Sequence, residues 1–309
     1  MRNYKVGPEG QEVSSVVLGL MRITTMEDDA IRTLVDSAIE AGVTVFDHAD
    51  IYGGKDHVCE QRFGDAVTFS PAERERVVIQ SKVGIRRGWF DFSKEHILEA
   101  VDGSLAALKT DYLDVLLLHR PDALVEPEEV AEAFDLLHAS GKVRQFGVSN
   151  HTPGQIEVLK TAVRQPLVYN QVQLSIPHAN LIAQGIAANM GGLDQSISRD
   201  VGLLDYSRLT GMTLQAWSPF QQGFFKGVFI GDRENFAELN DVLDELARKY
   251  EVTPTGIAVA WIVRHPANIQ VVLGTTKPER VRDCVAGSDI QLTREEWYRL
   301  FRAAGHKVP

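Results

Sequence analysis

Eight short runs rich in valine, leucine and isoleucine recur along the chain of 309 residues, separated by stretches in which apolar residues have helical spacing. This alternation is typical of α/β folds. The runs are almost continuously apolar, which predicts strands buried on both faces, as in a parallel sheet. Eight strand–helix units predict a (β/α)8 TIM barrel, with a doubly wound sheet as the alternative. The predicted strands are Ser14–Met21, Val43–His48, Arg76–Gly84, Leu113–His119, Val143–Asn150, Leu167–Gln173, Met212–Ser218 and Ile269–Thr275.

Several helix starts carry their own signals. Apolar residues recur with a period of about 3.6 after Ser93, and Pro127 follows Glu126 at a position typical of a first helical residue. A threonine with Gln or Glu three residues later predicts reciprocal capping of a helix start. This pattern occurs at Thr152, Thr276 and Thr293.

The chain is expected to form a single barrel domain over residues 1–309, because no linker rich in Pro, Gly or Ser divides it. The turn sequence Gly7-Pro8-Glu9-Gly10 predicts an N-terminal hairpin that covers the lower end of the barrel. The connections over residues 175–211 and 219–265 are long. They follow strands six and seven, on the face where barrel enzymes carry their chemistry. The first of them is expected to hold extra helical structure.

Composition narrows the classes of partner. The formal charge of −10 argues against nucleic acid or an anionic membrane as the main partner. The two cysteines, Cys59 and Cys284, offer neither a disulfide framework nor a thiolate metal site. The N-terminus lacks the apolar core of a signal peptide, and no apolar run is long enough to span a bilayer. A cytoplasmic location is therefore expected.

The stretch VTVFDHADIYGG places Asp47, His48 and Asp50 just before Tyr52, which suggests a metal site. A metal centre in a barrel needs several His or carboxylate ligands from different strands. Strand alternation sends Asp47 and His48 to opposite sides, and only Asp47 and His119 are expected to converge. Two ligands do not make a zinc site, so no metal is predicted, and His48 and Asp50 are interpreted as loop framework.

The other interpretation is a proton donor tuned by a cation. Tyrosine, with a pKa of about 10, is a poor donor at neutral pH, but a neighbouring ammonium lowers that pKa. Asp47, Lys82 and Tyr52 are the residue types that this needs, and His119 suits a substrate oxygen that becomes negative. Such a group fits carbonyl reduction, in which hydride reaches carbon and a proton reaches oxygen.

Taken singly, each of these residues is more often structural than catalytic. Lys82 and His119 stand out because each ends an apolar strand, where a polar group without a partner is costly. Compatible groups at the ends of three successive predicted strands favour the catalytic interpretation.

At these residues the chain resembles the aldo-keto reductase superfamily. The motifs, in order along nearly the whole chain, are FDHADIYGG, IQSKVGI, LDVLLLHRPD, GKVRQFGVSN, YNQVQLS, AWSPF and GTTKPERVR. The resemblance is greatest to the oxidoreductase branch with HADIYGG and LLHRPD. It implies NADPH-dependent reduction of aldehydes or ketones by a tetrad with Tyr52 as proton donor, comprising Asp47, Tyr52, Lys82 and His119. An NADP(H)-binding regulatory subunit with negligible turnover, like the potassium-channel β-subunits, is the alternative function.

The resemblance also implies where NADPH or NADP⁺ binds, without the Rossmann glycine motif, which this chain lacks. Trp217 would stack on the nicotinamide ring, and Ser218 and Pro219 would begin a loop across the pyrophosphate. The carboxamide would bond to three polar side chains, those of Ser149, Asn150 and Gln171.

The 2′-phosphate is expected after the last strand, at Gly274, Thr275, Thr276, Lys277 and Arg280. Thr276 is predicted to cap a helix whose free amides favour an anion, and Lys277 and Arg280 add two positive charges. The alternative is that these are ordinary solvated helix charges. NADPH is favoured over NADH, although many family members carry lysine at the position of Gly274, and its absence weakens this preference.

Aromatic side chains are frequent in two predicted loops at the barrel mouth. The loop after strand three carries Arg86, Arg87, Trp89, Phe90 and Phe92, and the loop after strand seven carries Phe220, Phe224 and Phe225. They predict an apolar wall around a small carbonyl substrate, and packing beneath long loops explains them equally well. The sequence does not indicate an oligomeric state.

Overall fold

The computed structural model describes residues 1–224 and 226–308, and its strands close into a barrel. In the described chain the strands are β1 Asn3–Val6, β2 Gln11–Ser14, β3 Val16–Gly19, β4 Val45–Asp47, β5 Val78–Val83, β6 Ile85–Arg86, β7 Trp89–Phe90, β8 Leu113–Leu118, β9 Val143–Ser149, β10 Leu167–Gln173, β11 Thr213–Trp217 and β12 Gln270–Leu273. Neighbouring barrel strands pair in parallel in the order β10-β11-β12-β3-β4-β5-β8-β9. Each predicted run contains one barrel strand, so the (β/α)8 prediction is confirmed and the doubly wound sheet is wrong.

Most of the helices lie between successive barrel strands and bury apolar side chains against the barrel. The described helices are α1 Asp28–Glu40, α2 Val58–Ala66, α3 Pro71–Arg74, α4 Lys94–Leu108, α5 Pro127–Ala139, α6 Pro153–Leu159, α7 Asn180–Ile186, α8 Leu203–Thr210, α9 Ala237–Tyr250, α10 Pro254–Val263, α11 Pro278–Ser288 and α12 Arg294–Ala303, with a 3₁₀ turn at Asp194–Ser196. None of these helices is long and apolar enough to cross a bilayer.

The predicted helix starts are confirmed with one exception. Reciprocal capping is present at Thr152 and Thr293. The prediction for Thr276 is wrong, because the chain enters α11 one residue later, with Lys277 at the cap position and no side-chain capping bond. The hydroxyl of Thr275 instead accepts a hydrogen bond from the Lys277 amide at 3.2 Å.

The N-terminal hairpin closes the lower end of the barrel, as predicted. β1 and β2 pair antiparallel around a turn in which Gly7 and Gly10 have φ values of +70° and +67°, a conformation that favours glycine. The hairpin's apolar side chains join one buried cluster with residues inside the barrel, comprising Tyr4, Val6, Val13, Val17, Val45, Val78, Val115, Leu117, Val168, Tyr169 and Val272. The lower half of the barrel is thus filled with apolar side chains, and polar groups are left for the upper half.

The two long connections follow β10 and β11. Residues 175–211 hold α7, the 3₁₀ turn and α8, so the expected extra helical structure is confirmed. Residues 219–265 hold α9 and α10.

Candidate active site

The ends of β4 and β5 meet at one lysine. The Lys82 side chain is fully buried, and its ammonium donates to Asp47 Oδ2 at 2.8 Å, to the His48 carbonyl at 2.7 Å and to Tyr52 Oη at 2.9 Å. These three acceptors use all three ammonium protons. The predicted contact between phenol and ammonium is therefore confirmed.

The predicted lowering of the Tyr52 pKa is wrong. Burial raises the pKa of the phenol, and the attraction of the Lys82 ammonium offsets this only in part, while Asp47 adds to the rise. Burial also acts against the Lys82 charge, but Asp47 and Tyr52 outweigh it and the pKa of Lys82 is raised. At neutral pH the site therefore holds a protonated phenol beside a charged ammonium.

The loop that carries Tyr52 is held at both ends by backbone bonds. The Asp50 amide donates to the Lys82 carbonyl at 3.0 Å, and the Cys59 amide donates to the Tyr52 carbonyl at 3.1 Å. The amide of His57 closes the loop by donating to the Asp50 carbonyl at 2.5 Å. Asp50 thus acts as framework through its backbone.

Glu60, which is fully buried at the start of α2, anchors this loop to the barrel wall. Its carboxylate contacts the His57 ring at 2.6 Å and accepts hydroxyl bonds at 2.5 and 3.1 Å from two elements, through Ser81 on β5 and Ser104 on α4. The His57 ring lies directly against α4, where a Cβ at Gly103 would come within 2.3 Å of His57 Nε2. Glycine at this position leaves the space that the ring occupies.

His48 lies on the outer side of the barrel wall, opposite Asp47. Its ring contacts Phe63 edge-on at a centroid distance of 4.7 Å, and burial lowers its pKa to about 4. Neither ring nitrogen has a hydrogen-bond partner among residues 1–224 and 226–308. Over the same residues, no three His, Cys, Asp or Glu side chains are grouped so that they could hold a metal ion.

His119 follows β8 and faces Tyr52, with ring centroids 5.9 Å apart and planes at 80°. Its amide donates to the Val83 carbonyl at 2.9 Å, which brings the residue to the end of β5. Burial, then the charges of Lys82 and Arg120, hold the pKa of His119 well below its usual value. The imidazole is therefore neutral at pH 7.

Arg120, next to His119, is a half-buried cation. Its guanidinium lies 5.5 Å from the ring centroid of Phe224, and no described residue forms an ion pair with it. The nearest carboxylate in sequence, Asp122, instead accepts the amides of Phe92 and Leu124 at 3.1 and 2.8 Å. Burial lowers the pKa of Arg120.

The residues expected at the nicotinamide lie together on β9, β10 and β11. Ser149 Oγ donates to the Gln171 carbonyl at 2.8 Å, and Asn150 Nδ2 donates to Ser149 Oγ at 2.8 Å. Trp217 Nε1 donates to Asn150 Oδ1 at 3.0 Å. The Gln171 amide nitrogen points into the barrel, toward Asp47 Oδ1 at 2.9 Å. The set therefore borders the Lys82 cluster directly.

The residues expected at the 2′-phosphate surround the start of α11. Lys277 and Arg280 are exposed, and neither forms an ion pair with any residue that the structure describes. A Cβ at Gly274 would meet no described atom within 4 Å. The start of α11 thus carries two cations without an ion pair to a described residue and has open space at Gly274, but it lacks the predicted threonine cap.

The loop aromatics divide between packing and exposure. Phe92 is buried and stacks on His151, with ring centroids 6.1 Å apart. Trp89 and Phe224 are exposed by more than half of their surface. Phe224 meets Trp217 edge-on at 6.2 Å. Phe225 lies outside the described residues.

A model of the Aldo/keto reductase family matches residues 15–304. The chain belongs to this family. It is 36% identical over 324 residues to the oxidoreductase YdhF of Escherichia coli (strain K12), with 100% of both chains covered. It is 32% identical over 307 residues to a 6-dehydroglucose reductase of Agrobacterium fabrum, with 95% of each chain covered.

Two solved structures of aldo-keto reductases resemble the fold over its whole length. One, from Klebsiella pneumoniae in complex with NADPH, has a TM-score of 0.75 and 25% identity, with 100% of this chain and 97% of that chain covered. The other, the thermostable Tm1743 in complex with the inhibitor epalrestat, has a TM-score of 0.78 and 26% identity, with 98% and 100% covered.

In this aldo-keto reductase, two features of the site have only weak signals in the sequence. The first is Arg120, whose only signal is its position directly after His119. The second is a set of buried glutamines level with Asp47, namely Gln80, Gln215 and Gln270. Their signal is glutamine at alternate, inward-facing positions of otherwise apolar strands.

Proposed function

We propose that this protein reduces aldehydes or ketones to alcohols with NADPH, and that Tyr52 donates the proton. The observation that carries the proposal is the bond of 2.9 Å between Lys82 Nζ and Tyr52 Oη, with Asp47 bonded to the same ammonium at 2.8 Å. In this arrangement the hydroxyl hydrogen of Tyr52 would face the carbonyl oxygen at the barrel mouth, beside a fixed positive charge.

The phenol begins the reaction protonated, because burial raises its pKa. As Tyr52 gives its proton to the carbonyl oxygen, negative charge develops on Oη. The ammonium of Lys82 already lies at hydrogen-bond distance, so it stabilises this charge without rearrangement. General acid help of this kind is worth about 10²–10⁴-fold in rate.

His119 is proposed to orient the substrate oxygen. The neutral imidazole retains one N–H donor, and its ring lies across the mouth from Tyr52. With donors on two sides, the carbonyl oxygen is held where the proton arrives. A neutral ring does this without competing with Tyr52 as the acid.

Side chains suited to NADPH are present at both ends of its proposed site. Ser149, Asn150 and the oxygen of Gln171 would hold the carboxamide, while Lys277 and Arg280 would hold the 2′-phosphate. When bound, the reduced nicotinamide supplies the hydride to the carbonyl carbon. The NADPH in the Klebsiella pneumoniae relative supports the same cofactor here. The 6-dehydroglucose reductases among the relatives make sugar-derived carbonyl compounds one class of substrate to test.

The deciding experiment is Tyr52→Phe, with NADPH oxidation followed on a panel of reactive aldehydes and ketones. Activity should fall by about 10²–10⁴-fold while the melting temperature changes little. Tyr169→Phe is the matched control, because Tyr169 is also buried and its hydroxyl has no hydrogen-bond partner among the described residues. Tyr52→Phe activity within a few-fold of the parent would refute the proposal. Tight NADPH binding with no turnover by the parent would favour a regulatory subunit.

A further inference from the structure

Four glutamines lie inside the barrel, level with Asp47. All four side chains are buried, and a buried amide is costly unless its hydrogen bonds are made. Gln171, Gln215 and Gln270 are register partners on β10, β11 and β12, while Gln80 on β5 is the register partner of Asp47. Strands far apart in sequence therefore bring these amides to one level.

The four amides form one continuous hydrogen-bonded chain. Gln270 Nε2 donates to the Ser14 carbonyl at 2.7 Å, and Gln215 Nε2 donates to Gln270 Oε1 at 3.0 Å. Gln215 Oε1 then accepts from Gln80 and Gln171 at 2.9 and 3.0 Å. The same two nitrogens donate their other hydrogens to Asp47 Oδ1, at 2.5 Å from Gln80 and 2.9 Å from Gln171.

The direction of this chain follows from its ends. The Ser14 carbonyl can only accept, so the nitrogen of Gln270 must face it and its oxygen must face Gln215. The oxygen of Gln215 in turn meets the nitrogens of Gln80 and Gln171. An ionised Asp47 likewise can only accept. Both ends require the same polarity, which turns the N–H groups of Gln80 and Gln171 toward the carboxylate. The second hydrogen of Gln215 Nε2 goes to Gln80 Oε1 at 3.1 Å.

We propose that Gln80 and Gln171, with Gln215 behind them, hold the Asp47 carboxylate in one place, and that Gln80 and Gln215 are positioning residues for the Lys82–Tyr52 pair. Asp47 is 1% exposed and has no water shell to support its charge. Two amide donors and the ammonium replace that shell and fix both oxygens. The fixed carboxylate then sets the place of Lys82 Nζ, which in turn sets Tyr52 Oη.

The chain also orients Gln171. Both hydrogens of its amide are used inside the barrel, so its oxygen is the group left to face a cofactor carboxamide. This part of the inference rests on the proposed function.

The test compares Gln80→Met with the parent. Met has similar volume and removes one donor to Asp47, whose carboxylate is then held less firmly in place beside the Lys82 ammonium. We expect kcat at neutral pH to fall about 10-fold while the KM for the carbonyl substrate stays nearly unchanged.

Gln270→Met is the matched control. It is equally buried in the same chain, but Gln215 separates it from Asp47. Both variants should melt at lower temperature than the parent, and only Gln80→Met should lower kcat. If Gln80→Met does not fold, Gln80→Glu keeps the shape, replaces the amide donor by a carboxyl group and should lower kcat as well.

A second measurement does not need turnover. The ¹³Cζ resonance of Tyr52, assigned by its loss in Tyr52→Phe, is recorded at pH 7 in the protein without cofactor. It should shift in Gln80→Met, because the carboxylate that positions Lys82 is held less firmly, and stay in place in Gln270→Met. An unmoved resonance in Gln80→Met would overturn the inference. A shifted resonance in a protein that reduces no carbonyl compound would instead overturn the proposed function and leave the glutamine chain standing.

Discussion

Replacing Lys82 by Met should destabilise the protein more than replacing Lys82 and Asp47 together. In the structure the ammonium is fully buried and is the only cation bonded to Asp47 among the described residues. Removing it leaves a carboxylate, itself only 1% exposed, without a counter-charge. Breaking a buried ion pair from one side costs about 3–5 kcal/mol, because an unpaired charge stays in the interior.

The structure places the expected cost near the lower end of that range. Asp47 Oδ1 keeps its two amide donors, Gln80 and Gln171, so the stranded charge is partly supported. A loss of about 3 kcal/mol corresponds to a fall in melting temperature of roughly 5 °C for a chain of this size. In Asp47→Asn/Lys82→Met the asparagine oxygen still accepts from both glutamines and no buried charge remains. Most of the lost stability should return.

The assay is thermal and urea unfolding of the parent, the single variant and the double variant at pH 7, with carbonyl reduction measured in parallel. Both variants should lose about 10²–10⁴-fold of the activity, so stability and catalysis separate in the double variant. A double variant as unstable as Lys82→Met would show that the stranded charge is not the cause. A single variant as stable as the parent would refute the ion pair itself.

Three further predictions concern other parts of the molecule. Arg120→Leu should raise the KM for a carboxylate-bearing aldehyde by about 10-fold and leave the KM for a neutral aldehyde nearly unchanged. The substitution removes a cation that lies next to His119 and forms no ion pair with any described residue. Gly274→Lys should tighten NADPH binding roughly threefold to tenfold without tightening NADH, measured by tryptophan quenching. Burial lowers the pKa of three histidines to about 4, so the unfolded chain binds their protons first as the pH falls. The free energy of unfolding should therefore drop between about pH 6.5 and pH 4, by on the order of 1.4 kcal/mol per pH unit for each histidine. Replacing His48, His151 or His265 by Gln should make the free energy of unfolding, measured with urea, depend less steeply on pH over this range.

The barrel and the contact between Lys82 and Tyr52 could both be predicted from the sequence, for the same reason. In a parallel barrel every strand ends on the same face, so side chains far apart in the chain, such as Asp47 and His119, are brought to one mouth by topology alone. Apolar runs locate the strand ends, and alternation tells which side chains point inward. The placement of Tyr52 needed only a short loop after Asp47.

The prediction of a cap at Thr276 is wrong because a capping pattern reflects only the few residues around it. The residue at which a helix begins also depends on how the chain turns after the preceding strand. Here Thr275 bonds the Lys277 amide, and the helix starts one residue later than the pattern predicts. The glutamine chain could not be predicted because its members are far apart in the sequence. Gln80 and Gln215 are 135 residues apart, and no local pattern connects them until the barrel closes.

The error about Tyr52 changes how Lys82 should be understood. The ammonium of Lys82 does act to lower the pKa of the phenol, as its residue type predicts, but burial outweighs it and raises that pKa. A phenol that keeps its proton suits carbonyl reduction, since the donor form is populated at neutral pH. In the proposed reaction the ammonium acts most when Oη becomes negative, and only interactions that strengthen in the transition state accelerate a reaction. The proposed chain from the glutamines through Asp47 to Lys82 would therefore act on the rate without making Tyr52 acidic at rest.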